Sequence, residues 1–448
     1  MLLSLFFFES MPIHPKALNT GLKSANSFRS SLWLIILWLV GIANTAEATR
    51  ILIPMDQRQK DHLKSYGVAY WAISRGMETQ WLLNYRGGSF TMAHQMSLEA
   101  ECRLRGISYE VIPENTYAGI LTEIQDLAVN MEVVKLEKAP RIAVYTPPTK
   151  QPWDDAVTMA LTYAEIPYDK VYDPEVLDGK LPMYDWLHLH HEDFTGQFGR
   201  FYFAFRNAAW YQAEVAEAER TALSRGFAKV SQLKSAVAQR IREFVAGGGF
   251  LFAMCSATDS YDISLSAIGL DICESMYDGD PVDASAASRL DYDQCFGFKD
   301  FTLTPNPLEY EFSDIDVTNT RGQVMENEDF FALFDFSAKW DVVPTMLCQN
   351  HQQVIKGFMG QTTAFNKDLI KPDVLIMGET KSLHEARYIH GNFGKGTWTF
   401  YGGHDPEDYQ HLVGEPPTEL SMHPNSPGYR LILNNILFPA AKKKKQKT

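Results

Sequence analysis

Short apolar runs alternate with stretches of helical spacing along most of the chain, and that alternation predicts its elements. Arg50 to Pro54 reads as a short strand. Gln57 to Ile73 reads as a helix interrupted by Gly67, and Gln80 to Ser89 as a strand ending in a glycine turn. Leu98 to Arg105 predicts a short helix and Ser108 to Ile112 a third strand. Tyr117 to Val129 predicts a helix with Ile120, Leu121, Ile124, Leu127 and Ala128 on one face. The rhythm to about Lys138 is β-α-β.

It then repeats, and a duplicated half-sheet is the expectation it raises. Arg141 to Tyr145 is a strand, and Asp154 or Asp155 caps a helix running to Ala164. Lys170-Val-Tyr172 and Tyr184 to Leu189 are further strands. Two helices follow, Ala208 to Leu223 and Lys229 to Val245. The second sets Val237, Ile241, Phe244 and Val245 on one side. Gly247-Gly-Gly249 turns that helix into a buried strand, Phe250 to Met254, and Asp262 to Leu270 starts another helix. Asp278 to Asn319 is acidic and loop-like, with short alternating runs at Phe301 and Glu309 that suit antiparallel strands, so residues 278–365 read as an insertion or subdomain on the main sheet. Asp373 to Gly378, Arg387 to His390 and Thr397 to Tyr401 are strands, and Pro427 to Leu437 is the last helix. Helix, glycine turn and buried strand together predict an α/β fold with a parallel sheet, whose ligands gather at the carboxyl ends of the strands.

Three strands end in ionisable residues: Tyr184–Leu189 in His190, His191, Glu192 and Asp193, Phe250–Met254 in Cys255, and Thr397–Tyr401 in Gly402-Gly-His-Asp-Pro-Glu407. A cysteine nucleophile needs a base to take its proton and a third group to orient that base. Cys255, His404 and Glu407 make that set, with Asp405 as a substitute for Glu407. A helix amino end after Cys255 predicts a lowered thiol pKa. His190, His191, Glu192, Asp193 and Ser256 are expected to bind polar groups of the substrate. The same histidines and carboxylates are suitable zinc ligands, but no short motif sets three of them together, so no metal enters the leading reading. No G-x-G-x-x-G or G-K-[ST] motif is correctly placed, and no cofactor is expected.

Charge and the first residues change the picture further. The net charge is −14, and about −19 without the five tail lysines, Lys442 to Lys445 and Lys447. Such an acidic body excludes a nucleic-acid binder as the leading reading. Residues 439–448 read as a basic, disordered tail. Lys16, Lys23 and Arg29 precede an apolar run, Leu32 to Ile42, and Ala46-Glu-Ala48 follows it as a cleavage signal. Residues 1–48 are therefore expected to be a signal peptide, and the mature protein periplasmic or secreted, with no integral membrane span. Five cysteines (Cys102, Cys255, Cys273, Cys295 and Cys348) leave at least one unpaired.

Four segments, Arg141 to Tyr145, Tyr184 to Leu189, Phe244 to Cys255 and Gly394 to Glu407, resemble the class I glutamine-amidotransferase-like family, including its ThuA-like members. The resemblance implies a flavodoxin-like parallel sheet over 139–438, to which the residue pattern adds an insertion at about 278–365 and an α/β extension at 49–138. It implies Cys255 as nucleophile, His404 as base and Glu407 as third member. Two departures stand out: Ala253-Met-Cys-Ser-Ala257 replaces G-x-C-x-G, and His-Asp-Pro-Glu replaces H-P-E. Ile51-Leu-Ile-Pro-Met-Asp56 and Trp81-Leu-Leu-Asn-Tyr-Arg-Gly-Gly-Ser-Phe90 extend the likeness: the whole chain also resembles exported Bacteroidota proteins labelled "asparagine synthetase B", which would imply glutamine-hydrolysing asparagine synthesis. That activity uses an S-G-G-x-D-S loop, where Ser256-Ala-Thr-Asp-Ser260 stands here. The leading expectation is an exported cysteine-dependent hydrolase or amidotransferase-like enzyme acting on an amide or related carbonyl bond of a small molecule, glycan or peptide-derived substrate. The alternatives are a non-catalytic ThuA-like carbohydrate or metabolite binder, and a metal-dependent hydrolase or isomerase.

Overall fold

Residues 49–148, 155–319, 324–341 and 352–441 are described by a computed structural model. The expected signal peptide, most of the basic tail and Cys348 lie outside the described residues. The first sheet is built from β1 (Thr49–Ile53), β2 (Thr79–Leu83), β3 (Ser89–Ala93), β4 (Glu110–Pro113) and β5 (Glu132–Leu136). Helices α1 (His62–Ser74), α2 (Met96–Leu104) and α3 (Glu114–Gln125) connect them.

The strand order is β4-β1-β3-β2-β5, and every neighbouring pair is antiparallel. The expected β-α-β rhythm therefore needs correction here, and so does the duplicated half-sheet. Alternation of strand and helix suggests parallel strands, but it does not separate β3 (Ser89–Ala93) from the strand before it. The turn between β2 and β3 puts Asn84, Arg86, Gly87 and Gly88 at positive φ, so the chain reverses at once into a hairpin. Helix α3 also stops at Gln125, which leaves Leu127 exposed rather than on the apolar face.

The second sheet holds the parallel strands. They are β6 (Ile142–Tyr145), β7 (Asp169–Val171), β8 (Trp186–Leu189), β9 (Phe250–Met254) and a later strand at Gly396–Tyr401. Helix α4 (Ala156–Tyr163) follows β6, and its N-cap is Asp155, which accepts from Thr158 N. Helices α5 (Ala209–Ser224) and α6 (Val230–Gly247) precede β9, and α7 (Asp259–Ser266) follows it. Helix α6 buries Val237, Ile241, Phe244 and Val245, the face its spacing predicts. Gly248, at φ +122°, then ends it in a backbone conformation that a side chain would strain.

Strands β10 (Phe330–Leu333), β11 (Val354–Lys356), β12 (Phe365–Asn366), β13 (Leu375–Thr380), β14 (Glu385–Phe393) and β15 (Gly396–Tyr401) complete the sheet. Its path is β11-β10-β13-β14-β15-β9-β8-β6-β7, with β12 on β14. From β15 to β7 all pairs are parallel, and in order of appearance they run 2-1-3-4-5. The protein is thus a mixed α/β fold with a parallel block inside a larger sheet.

The expected insertion contributes β10, β11 and Phe365 of β12 to this sheet. Among the described residues its runs at Phe301 and Glu309 form no ladder, and an isolated bridge joins Leu303 to Ser313. Instead Phe296 stacks on Trp398 and Phe298 on Phe400. The last helix, α8 (Pro427–Leu437), is buried from Gly428 to Leu437. One apolar core contains Trp81 and Phe90 from the first sheet, Trp186 and Phe252 from the second, and Leu431 and Ile432 from α8. Inside that core Arg430 donates to the carbonyls of Met55 and Gly87. Position 138/139 is consequently no boundary between cores, and the described residues form one compact unit. Among the described residues no helix is long and apolar enough to cross a membrane.

Candidate active site at the carboxyl ends of β8, β9 and β15

Strand β9 is wholly apolar, so it crosses the core and must turn sharply where the polar sequence begins. Cys255 makes that turn at φ +52°. A cysteine is rare there, and holding it costs about 1–3 kcal/mol. Ala253 and Ala257, fully buried where the resembled family has glycines, still allow the turn. Ala257 N donates to the His190 carbonyl at 2.9 Å, which ties this turn to the end of β8.

The Cys255 sulfur accepts from Gln361 N at 3.3 Å. Burial pushes its thiol up to about 11, although the N–H groups of Gln361, Ser256 and Thr362 favour the thiolate. The lowered thiol pKa expected from sequence is therefore reversed, because burial outweighs the oriented N–H groups. Alkylation by iodoacetamide is expected to be slow at pH 7 and to rise about tenfold per pH unit towards pH 11, followed by mass spectrometry of the Cys255 peptide. A plateau below pH 8 would contradict this picture of the thiol.

His404 follows β15 after Gly402 and Gly403, and its N–H donates to the Met359 carbonyl at 3.0 Å. Gly360 makes that approach possible, since a Cβ there would lie 2.7 Å from His404 N. His404 Nδ1 is 2.9 Å from His190 Nε2. His190 Nδ1 is in turn 3.4 Å from Asp155 Oδ1, an electrostatic contact rather than an aligned hydrogen bond. Asp155 Oδ2 also bonds His188 Nε2 at 3.0 Å, and His188 Nδ1 meets the Phe252 carbonyl. The His411 ring stacks on His404 at 4.6 Å and is held by Asp408 at 2.7 Å.

Burial, and then the neighbouring imidazoles His190 and His191, keep the His404 ring well below the usual histidine range. Burial and His190 do the same for His191. Burial alone would raise Asp155, yet His188 and His190 hold its carboxyl well below the usual range. The partners assign the tautomers. The Asp155 carboxylate favours a proton on the facing His190 Nδ1, His190 Nε2 then accepts from His404 Nδ1–H, and His404 Nε2 keeps the lone pair.

Cys255, His191, His404 and His411 line one cavity of about 320 Å³, closed on its apolar side by Phe201, Tyr310, Met359, Leu412 and Val413. Among the described residues, no hydrogen bond joins the Cys255 sulfur to His404; each is engaged elsewhere. A larger cavity of about 630 Å³ lies at the opposite, amino ends of the strands, beside Pro140, Asp185 and Phe250. It holds no cysteine or histidine, so its size does not make it the better candidate.

Several expected site residues stand elsewhere. Glu407 does not orient His404; its carboxylate pairs with His423 Nδ1 at 3.1 Å. Asp405 does not either. It accepts from Glu407 N at 2.9 Å and Thr418 Oγ1 at 2.7 Å, and so shapes the loop after His404. The extra residue in His-Asp-Pro-Glu carries both carboxylates past the ring. Glu192 is buried away from the cavity lining, with burial raising its carboxyl despite Lys234. Asp193 caps its own turn through Thr195 N and Gly199 N. Ser256 is fully buried and its hydroxyl has no hydrogen-bond partner among the described residues, although its N–H faces the sulfur. Asp155 and His411 were not read as site residues. The only signal for Asp155 was its helix-capping position.

No protein-family model matches the chain, and no curated protein does. Similar solved structures include two proteins of Salmonella typhimurium described only as cytoplasmic. One is 12% identical with a TM-score of 0.32, covering 68% of this chain and 100% of its own. The other is 11% identical with a TM-score of 0.31, covering 67% and 100%. A GH42 beta-galactosidase, Gan42B, is 10% identical with a TM-score of 0.25, covering 60% of this chain and 28% of its own. At such TM-scores these likenesses carry no argument about fold or chemistry.

Proposed function

We propose that the protein is a hydrolase or amidotransferase-like enzyme that opens an amide or related carbonyl bond through Cys255. The observation that carries this reading is Cys255 at φ +52° after β9, in one cavity with His404. The 2-1-3-4-5 order of the parallel block supports a flavodoxin-like sheet of the class I glutamine-amidotransferase type.

Thiol and imidazole both start neutral, so proton transfer accompanies attack. The sulfur bonds the carbonyl carbon while His404 Nε2 takes the thiol proton. The proton then goes to the leaving amine or alcohol as its bond to carbon breaks. Water hydrolyses the thioester by the reverse transfer. His190 and Asp155 hold His404 in the accepting tautomer and balance the charge it gains. The N–H groups of Ser256 and Gln361, beside the sulfur, are suited to the oxyanion.

A chromogenic acetate ester tests this. The expected result is a transient acetyl group on the Cys255 peptide and hydrolysis that falls to buffer background in Cys255→Ala. Unchanged hydrolysis in that variant overturns the reading. The missing Cys255–His404 hydrogen bond, with Phe201 and Tyr310 paired at 5.6 Å beside the cavity, favours a second reading, a non-catalytic ThuA-like binder of a glycan or other metabolite.

A further inference from the structure

We propose that His190, His191 and His404 form a site for a zinc-class divalent cation, and that filling it switches off the Cys255 chemistry. The switch, unlike the site, rests on the reading of His404 as proton acceptor. One ring nitrogen from each residue lies within 4.8 Å of the others. His190 Nε2 and His404 Nδ1 are 2.9 Å apart. Two nitrogens on one tetrahedral zinc stand about 3.3 Å apart, from bonds of about 2.0–2.1 Å. A small opening of the pair therefore admits the ion. His191, half-buried on the cavity lining, adds a third nitrogen and leaves the fourth position open to the cavity.

Two further observations fit a ligand role. Asp155 lies behind His190 Nδ1, and a carboxylate behind an imidazole sets the tautomer and basicity of a metal ligand. Burial already keeps His191 and His404 neutral, the form that binds metal. An all-imidazole set suits zinc and its neighbours rather than magnesium or calcium. Other clusters are weaker. Lys229 already occupies the centre of Asp271 and Asp278, and Glu415 of the Asp408–His411–Glu415 group is exposed.

The cation takes the place of the proton between His190 Nε2 and His404 Nδ1. That proton moves to His404 Nε2, so the ring stays neutral and no proton leaves. Nε2 then bears a hydrogen and no longer accepts one from the thiol.

The test uses the full, untagged chain, stripped with chelator and dialysed against zinc or cobalt chloride. One ion per chain is expected, with the visible absorption of tetrahedral cobalt(II). Affinity should fall about 10–100-fold in Asp155→Asn, and at least tenfold in His191→Ala, whose half-buried position lets it fold. Cys255→Ser should bind as the wild type does. No retained ion, or binding unchanged in both Asp155→Asn and His191→Ala, overturns the site. Zinc-loaded protein should hydrolyse the acetate ester at least tenfold more slowly than stripped protein; equal rates overturn the switch. If neither form hydrolyses it, the switch falls with the hydrolase reading, while dialysis and cobalt absorption still decide the site.

Discussion

Asp155→Asn is expected to slow ester hydrolysis by about 10²–10⁴-fold, whereas Glu407→Gln leaves it within about twofold. Asp155 reaches the cavity only through His190 and His404. An asparagine that keeps the helix cap through Oδ1 still faces His190 with an acceptor, but it is neutral and turns its amide donor towards His188 Nε2. The negative charge that balances the imidazolium formed at His404 is then missing, so proton transfer from the thiol becomes harder. Asparagine caps helices as well as aspartate does, so α4 and the thermal midpoint should change little. The loss should fall on kcat rather than KM, because Asp155 does not line the cavity. Glu407 bonds His423 instead of His404, so its amide costs a partly exposed ion pair and no more. A large loss in Glu407→Gln beside an active Asp155→Asn would overturn this assignment.

Asp262→Ala is expected to destabilise the fold by about 3–5 kcal/mol. The Asp262 carboxylate accepts from the N–H groups of Phe296 and Gly297 at 2.7 Å and of Phe298 at 3.0 Å. It thereby fastens the 278–365 segment to α7, and alanine would leave three N–H groups without an acceptor. Burial raises the carboxyl to about 6, against the three N–H bonds that favour its ionised form. A carboxyl raised in the fold contributes its full stability below its unfolded value near 4. That contribution is lost as pH rises through about 6. For Asp262 it amounts to about 3 kcal/mol. The gap between wild type and Asp262→Ala should therefore be wider at pH 4.5 than at pH 7.5. Urea denaturation at both values measures it; a gap that widens with pH would contradict the sign.

Local pattern made much of the fold legible. The faces of α6, the apolar run of β9, the cap at Asp155 and the limits of α8 all follow from spacing within a few residues. The antiparallel first sheet did not, because it depends on one tight reversal at Asn84–Gly88 that reads as a strand end. Cys255 and His404 were legible as strand-end residues. The group that orients His404 was not. The nearby Glu407 is the natural candidate in sequence, while His190 lies 214 positions away and reaches His404 only because β8, β9 and β15 lie side by side.

By itself, then, the sequence determined which segments are buried strands and amphipathic helices, and that a thiol and imidazoles stand at strand ends. Periodicity and polarity act over a few residues, and they suffice for that. Only the tertiary structure decided that Cys255 is held at positive φ with its thiol raised, that Asp155, His190 and His404 form one chain of contacts, and that His190, His191 and His404 converge. Burial, strand order and the directions of buried side chains create those properties, and none of them exists before the sheet is assembled.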